Sequence, residues 1–161
     1  MDLPRENATD VTAFGVRPMS ASDISAALSI LEESPEAASW SGASLLECVL
    51  SETSWVAELD ARVAGFLIGR VTVDEFEILN LAVAKIFRRK GVATRLVTEV
   101  LNAAKSAGAR RTYLEVRASN EGGIVFYTRM GFREAGRRAN YYRHPPEDAV
   151  LLVLNNHETK P

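Results

Sequence analysis

The segment between residues 75 and 117 places a helix-forming pattern between two strand-forming patterns. Glu75–Val83 and Thr112–Arg117 have the composition and alternation of strands, and Gly108 is a typical stop for the helix that precedes it. The apolar residues of that helix recur at helical spacing: Val92, Leu96, Val97, Val100, Leu101 and Ala104. Because two consecutive strands joined by such a helix form a parallel pair, we predict an α/β (α+β) fold with a mixed sheet.

The rest of the chain extends this pattern to the order β-α-α-β-β-β-α-β-α-β-β. Helices are predicted to begin at Ser20–Asp23, at Trp40–Ser41 and at Asn120. The further strands are predicted at Phe14–Arg17, Ser54–Leu59, Arg62–Val73, Phe132–Ala139 and Ala149–Leu154, with a polar loop at Asn140–Asp148. Residues 1–12 are expected to be a flexible extension, 13–155 a single domain and 156–161 a tail.

Composition narrows the class of protein. With 161 residues, of which 47% are hydrophobic, and a net charge of −2, the chain has the material for one core and lacks the overall basic charge of a nucleic-acid-binding domain. One cysteine, no secretory signal and no apolar stretch of about 20 residues favour a cytoplasmic protein outside the membrane. Two histidines and one cysteine offer no metal-ligand spacing. The oligomeric state cannot be inferred.

A basic loop with one glycine follows the third long strand and opens the amphipathic helix. Its residues are Arg88, Arg89, Lys90, Gly91, Val92, Ala93 and Thr94. The first backbone N–H groups of a helix lack acceptors inside it, and glycine lets a phosphate approach the backbone. The alternative is a solvated helix start. Because cations there oppose the helix dipole, anion binding is the favoured interpretation.

Four blocks extend this pattern. They are Trp40–Ser41; Leu79–Val83 running into Arg88–Thr94; Leu114–Asn120 with Tyr127 and Met130–Phe132; and Arg137–Tyr142 with Glu147–Ala149. The motif R-x-x-G-x-A resembles the signature of the GCN5-related N-acetyltransferases (GNAT). The blocks L-E-V-R-x-S-N and N-Y-Y resemble, more narrowly, the bacterial ribosomal-protein-alanine acetyltransferases (RimI). An Asp-Pro pair that this family often has after the fourth strand is replaced by Ala84-Lys85.

The resemblance implies a GNAT fold with a splayed central sheet and acetyl-CoA as the co-substrate. In the family, the positions of Glu115 and Tyr127 act as proton acceptor and proton donor. The family's coenzyme contacts fall on these residues: Leu81, Ala82, Val83, Arg88, Arg89, Lys90, Gly91, Val92, Ala93, Thr94 and Asn120. We also expect main-chain groups freed by a bulge or splay at residues 81–83 to hydrogen-bond the thioester carbonyl.

Each of these residues also has a structural interpretation. Alternation alone makes Glu115 a surface carboxylate and Tyr127 a core aromatic, and Asn120 is a helix cap before it is a ligand contact. The resemblance favours catalysis for the first two. Trp40, Tyr141 and Tyr142 are candidates for gripping a substrate N-terminus, or else pack on the sheet.

The predicted function is therefore transfer of an acetyl group from acetyl-CoA to the N-terminal α-amine of a protein, with a ribosomal-protein alanine as the target that the resemblance implies. One alternative is a GNAT enzyme acting on a small amine or a lysine side chain. Another is a non-catalytic module that binds acyl-CoA. The sequence does not distinguish acetyl from longer acyl donors.

Overall fold

The computed structural model describes residues 14–35, 37 and 39–156, which form four helices and a seven-stranded mixed sheet. The strands are β1 Gly15–Pro18, β2 Ser54–Leu59, β3 Arg62–Thr72, β4 Glu75–Val83, β5 Arg111–Arg117, β6 Arg133–Arg143 and β7 Pro146–Asn155. The helices are α1 Ile24–Glu32, α2 Gly42–Leu50, α3 Val92–Ser106 and α4 Glu121–Arg129. The strand order is β1-β2-β3-β4-β5-β7-β6, in which only β4 and β5 of the described strands pair in parallel. The predicted fold class and element order are confirmed.

Hydrophobic cores lie on both faces of the sheet, as alternation along β3 shows. Leu67 belongs to the core that α3 and Tyr127 of α4 cover, whereas its neighbours Phe66 and Ile68 belong to the core under α1 and α2. All three side chains are fully buried. Since successive strand residues point to opposite faces, a strand buried on both sides needs the continuous apolar run that β3 has.

The sheet opens between β4 and β5. The two strands pair only from Glu75↔Arg111 to Ile78↔Leu114, and no later residue of β4 is paired with β5 in the described part of the chain. On its other side β4 stays paired with β3, where a bulge at Leu79 shifts the register between Asn80 and Ile78. We predicted a bulge or splay at residues 81–83. The bulge lies earlier, at Leu79, and at residues 81–83 β4 is already separated from β5. The result is a gap in the middle of the sheet.

The end of the sheet differs from the prediction. The expected polar loop Asn140–Asp148 is wrong, because β6 continues to Arg143 and β7 begins at Pro146. Register shifts between Arg138 and Tyr142 place extra residues in β6, so that pairing resumes at Tyr142↔Glu147. Asn140 has a φ of 51° and donates its backbone N–H to the Asp148 carboxylate at 2.9 Å. An asparagine in the left-handed region therefore makes a bulge where the composition suggested a loop.

The ends of the chain lie partly outside the described residues, including the predicted extension at 1–12 and residues 157–161. Asn156, which we placed in the tail, is buried, and its side-chain amide donates to the Ala109 carbonyl at 2.9 Å. Asn156, one residue past β7, therefore packs with the domain. None of the described helices is long and apolar enough to cross a membrane.

Candidate active site

A cavity of about 660 Å³ occupies the gap between β4 and β5. Its walls come from both separated strands, from α4, from the segment after α1 and from the β6–β7 hairpin. Because the gap passes through the sheet, residues that point to opposite faces of the sheet can line the same cavity. This arrangement follows directly from the short parallel pairing of β4 with β5.

Glu115 lies on β5 one residue beyond the last β4–β5 pair, and its side chain lines the cavity. Its neighbours Leu114 and Val116 point into the core beneath α3, so Glu115 points to the opposite face. The side chain is only 11% exposed, and one carboxylate oxygen forms an ion pair with Nε of Arg138 at 2.9 Å. A carboxylate with so little solvent and one firm partner has a defined orientation.

Tyr127 on α4 lines the cavity from the other face of the sheet. Its ring packs edge-on against Phe126 and Phe132, with centroids 5.0 and 5.3 Å away. The hydroxyl makes no hydrogen bond to any residue that the structure describes. Burial raises the pKa of Tyr127 well above its ordinary value. The phenol is therefore a neutral O–H donor at neutral pH, and the cavity is where its hydroxyl is accessible.

The loop before α3 has the backbone geometry of an anion site. Gly91 is the N-cap of α3 with a φ of 81°, and Arg89 has a φ of 60°. Both values lie in the left-handed region, which suits glycine and strains arginine. The backbone N–H groups of residues 89–94 have no acceptor within the described part of the chain. Arg89 and Lys90 are exposed beside them. Consecutive N–H groups without an acceptor are what an anion site needs, and anion binding at this loop stays a prediction.

Arg88 makes contacts within the protein that the sequence analysis did not predict, and its contact with the coenzyme stays a prediction. Its guanidinium donates to the carbonyl oxygens of Glu33 at 2.6 Å and of Val83 at 3.2 Å. Its backbone N–H donates to the carbonyl oxygen of Lys85 at 3.3 Å. The Glu33 carboxylate in turn accepts the backbone N–H of Lys85 at 2.7 Å. Arg88 therefore ties the loop to the C-terminal end of α1, where a cation also complements the helix dipole.

Of the other predicted coenzyme contacts, some line the cavity and some are buried in the hydrophobic cores. Leu81 lines the cavity, whereas Ala82 is buried under α1 and α2 and Val83 packs in the opposite core. Asn120 lines the cavity and also caps α4, since its side-chain oxygen accepts the Gly123 N–H at 3.0 Å. Asn120 can therefore cap α4 and still be available for the predicted contact with the coenzyme.

The three aromatic candidates for substrate contact are not equivalent. Tyr142 lines the cavity, and Tyr141 packs edge-on against it with centroids 5.2 Å apart. Tyr141 is 48% exposed, and its hydroxyl lies close enough to Glu115 for hydrogen bonding to that carboxylate to raise the pKa of Tyr141. Trp40 does not line the cavity; it packs on the core beneath α1 and α2. The structure thus favours the packing interpretation for Trp40.

Several cavity-lining residues were missed by the sequence analysis. Pro35 and Ser39 line the cavity from the segment next to Trp40, Phe126 does so from α4, and His144 from the β6–β7 turn. Phe126 could have been found because it neighbours Tyr127. Among the described residues, no cluster of His, Cys, Asp or Glu side chains could hold a metal ion.

Comparison with known proteins identifies the family. The model of the acetyltransferase (GNAT) family matches residues 25–132, which cover α1 to α4 and both walls of the gap. The chain belongs to this family. Its GNAT domain thus includes the loop before α3, Glu115 and Tyr127. Residues of the β6–β7 hairpin lie outside the matched range and are placed by the structure alone.

Individual relatives support a narrower similarity. The [ribosomal protein bS18]-alanine N-acetyltransferase of Salmonella typhimurium is 38% identical over 97 residues, which are 59% of this chain and 66% of that protein. The match therefore spans just under two thirds of that relative's length. The crystal structure of the corresponding Escherichia coli enzyme superposes with a TM-score of 0.78 at 28% identity, covering 91% of this chain and 96% of that one. Ard1 from Thermoplasma volcanium has a TM-score of 0.81 at 27% identity, covering 89% and 97%.

The contacts of Arg88 predict that two neighbouring cations of this GNAT loop have separate effects. We expect Arg88→Met to lower the free energy of unfolding by about 1 kcal/mol, because two backbone carbonyls lose a charged donor. Lys90→Met should leave stability unchanged and weaken coenzyme A binding by about threefold, as expected for one exposed cation. Denaturant unfolding and calorimetric titration with coenzyme A measure the two effects. Equal losses of affinity without loss of stability would contradict the assignment of Arg88.

Proposed function

We propose that this GNAT enzyme transfers the acetyl group of acetyl-CoA to the N-terminal α-amine of a protein, with a ribosomal-protein alanine as the candidate target. The observation that carries the proposal is that the Glu115 carboxylate and the Tyr127 phenol line one cavity from opposite faces of the sheet. The cavity thus has a proton acceptor for the attacking amine and a proton donor for the leaving thiolate.

The residues of the loop fit a coenzyme A diphosphate. The six open N–H donors of residues 89–94, the αL glycine that brings the backbone close and the exposed cations Arg89 and Lys90 together suit a doubly charged anion. Leu81 and Asn120 line the cavity itself. When bound there, acetyl-CoA supplies an activated thioester carbonyl.

The proton balance assigns a role to each of the two side chains. An N-terminal ammonium has a pKa of about 8, so at neutral pH it must lose a proton before its nitrogen can attack the carbonyl. We assign that proton to the Glu115 carboxylate, directly or through one water. As the N–C bond forms and the C–S bond breaks, the departing thiolate takes a proton from the neutral Tyr127 hydroxyl. The second proton that the nitrogen loses on becoming an amide returns through water to the Tyr127 oxygen, and Glu115 releases its proton to solvent, so that both side chains regain their starting states.

Two observations support a protein N-terminus over a small amine. The relatives at 28–38% identity include enzymes named as N-acetyltransferases of an alanine of a ribosomal protein. In addition, the hairpin of β6 and β7 presents Tyr141 and Tyr142 next to Glu115, and paired aromatic side chains give a peptide rigid contact area at low entropic cost. An α-amine is also easier to deprotonate than lysine, whose pKa is about 10.4.

Acetylation assays with matched acceptors test this proposal. The acceptors are a peptide with a free N-terminal alanine, the same peptide with its N-terminus blocked and one lysine added, and spermidine. We expect kcat/KM for the free N-terminus to exceed the other two by at least about tenfold, in proportion to the easier deprotonation and the additional peptide contacts. Faster reaction of spermidine or of the blocked lysine peptide would overturn the proposal. Binding of acetyl-CoA without turnover of any acceptor would favour the non-catalytic alternative.

A further inference from the structure

The Glu115 carboxylate is held from a strand that is not its neighbour. Nε of Arg138 on β6 forms an ion pair with one carboxylate oxygen of Glu115 at 2.9 Å, although β7 lies between β5 and β6. In the register of the sheet, Ala149 of β7 is paired on one side with Arg117 and on the other with Arg138. Because Ala149 is small, the Arg138 side chain can cross β7 and reach Glu115.

Arg138 is also the first member of a series of contacts along the β6–β7 hairpin. Its guanidinium lies 5.7 Å from the ring centroid of Tyr141, whose ring packs against Tyr142. Arg117 then lies 4.1 Å above the Tyr142 ring and donates to the Glu147 carboxylate at 3.2 Å. The bulge in β6 occurs between Arg138 and Tyr142, so it sets how these side chains face β5.

We infer that Arg138 is a positioning residue, which fixes the orientation of Glu115 and makes it depend on the correct placement of the β6–β7 hairpin. This inference rests on the proposed function, since it concerns the group assigned there as proton acceptor. Arg138 itself does not line the cavity. It acts through Glu115, in the way that a hydrogen-bonded partner fixes the orientation of a functional side chain in other sites.

The arrangement gives this role to Arg138 rather than to its neighbours. The Glu115 side chain is 11% exposed, so water cannot replace a lost partner fully, whereas Arg138 is 61% exposed and is stable in water by itself. Tyr141 approaches the same carboxylate but is a neutral donor. Removing Arg138 therefore leaves Glu115 in place with a less defined orientation.

The pH dependence of the reaction separates positioning from a structural role. Other titratable and charged groups around Glu115 and its partners are Glu77, Tyr113, Arg117, Tyr127, Tyr142, His144 and Glu147. All of these groups stay in place when Arg138 is replaced. The effect of their own titration therefore largely cancels when the rate of the variant is divided by the rate of the wild type at the same pH. That ratio reports how much the reaction needs Glu115 as base. The need falls once the substrate amine, with a pKa of about 8, is neutral in solution.

The variants are Arg138→Met, Arg138→Lys and, as a matched control, Arg137→Met, whose side chain pairs with Glu134 and not with Glu115. At about pH 7 we expect kcat for an N-terminal alanine peptide to fall about tenfold in Arg138→Met and about threefold in Arg138→Lys, a fraction of what a whole general base contributes. Arg137→Met should be unchanged. At about pH 9.5, Arg138→Met should come within about threefold of wild type, because the amine no longer needs the base.

A double-mutant cycle with Glu115→Gln completes the experiment. If Arg138 acts through Glu115, the double variant Glu115→Gln/Arg138→Met should be no slower than Glu115→Gln alone. A loss in Arg138→Met that is the same at both pH values, or that multiplies with the loss from Glu115→Gln, would overturn the inference. Failure of the wild type to acetylate any N-terminal peptide would instead overturn the proposed function.

Discussion

Glu115→Gln is expected to lower kcat/KM for an N-terminal peptide by about 10²–10³ at neutral pH, the range that general-base catalysis contributes. The carboxylate lines the cavity beside the hairpin tyrosines, and glutamine preserves its shape while removing its ability to accept a proton. Affinity for coenzyme A should stay within about twofold, because residues 89–94, which carry the open N–H groups, are not among the residues that line the cavity with Glu115.

Steady-state kinetics over a range of pH, together with calorimetric coenzyme titration, measure this effect. The defect should shrink above about pH 9, where the substrate amine is already neutral. The matched control is Glu77→Gln, since Glu77 lies on the same face of the sheet but pairs with Arg70 and does not line the cavity. If both variants lost activity equally, the loss would reflect the charge of this sheet face and not a proton acceptor.

Tyr127→Phe is expected to lower kcat by about 10–100-fold, as expected for loss of one general acid, with little change in KM for the peptide. The fold should tolerate the change. The ring keeps its contacts with Phe126 and Phe132, and the hydroxyl has no partner in the described chain whose loss would cost stability. Thermal unfolding should therefore be within about 1 °C of wild type, a shift that corresponds to a few tenths of a kcal/mol.

An acetyl donor with a more acidic thiol isolates the role of the phenol. Because such a thiolate leaves without needing a proton, the difference between Tyr127→Phe and wild type should nearly vanish with that donor. Tyr113→Phe serves as the control, since Tyr113 contacts Glu77 away from the cavity. A defect in Tyr127→Phe that is equally large with both donors would assign Tyr127 to packing.

Much of the fold was accessible from the sequence because local patterns determine it. The apolar stripe of α3 and the alternation in β5 require only knowledge of near neighbours along the chain. The β6–β7 hairpin was not accessible in the same way. Residues 140–148 have the composition of a loop, and the bulge at Asn140 depends on a hydrogen bond to Asp148, which only the paired strands bring together.

The site was predictable to a smaller extent. Glu115 alternates with Tyr113 and Arg117, so its pattern is that of a surface carboxylate, and only the family resemblance identified it as a candidate base. What placed it in a cavity is the loss of pairing after Ile78, a tertiary feature without a local signal. Arg88 was assigned to the anion loop by its position in the motif. Its contacts with the end of α1 depend on helix packing that no local pattern encodes.

The break in the sheet has a consequence for how two substrates meet. The loop that suits the diphosphate opens α3, which covers one face of the sheet, whereas Glu115 points to the opposite face, next to Tyr141 of the hairpin. We therefore expect the acetyl donor and the acetyl acceptor to bind from different faces of the sheet, so that neither has to leave before the other can bind. A folded protein can place its first residue at one face of the sheet while coenzyme A stays bound at the other. This favours direct transfer of the acetyl group within a ternary complex of enzyme, coenzyme and acceptor.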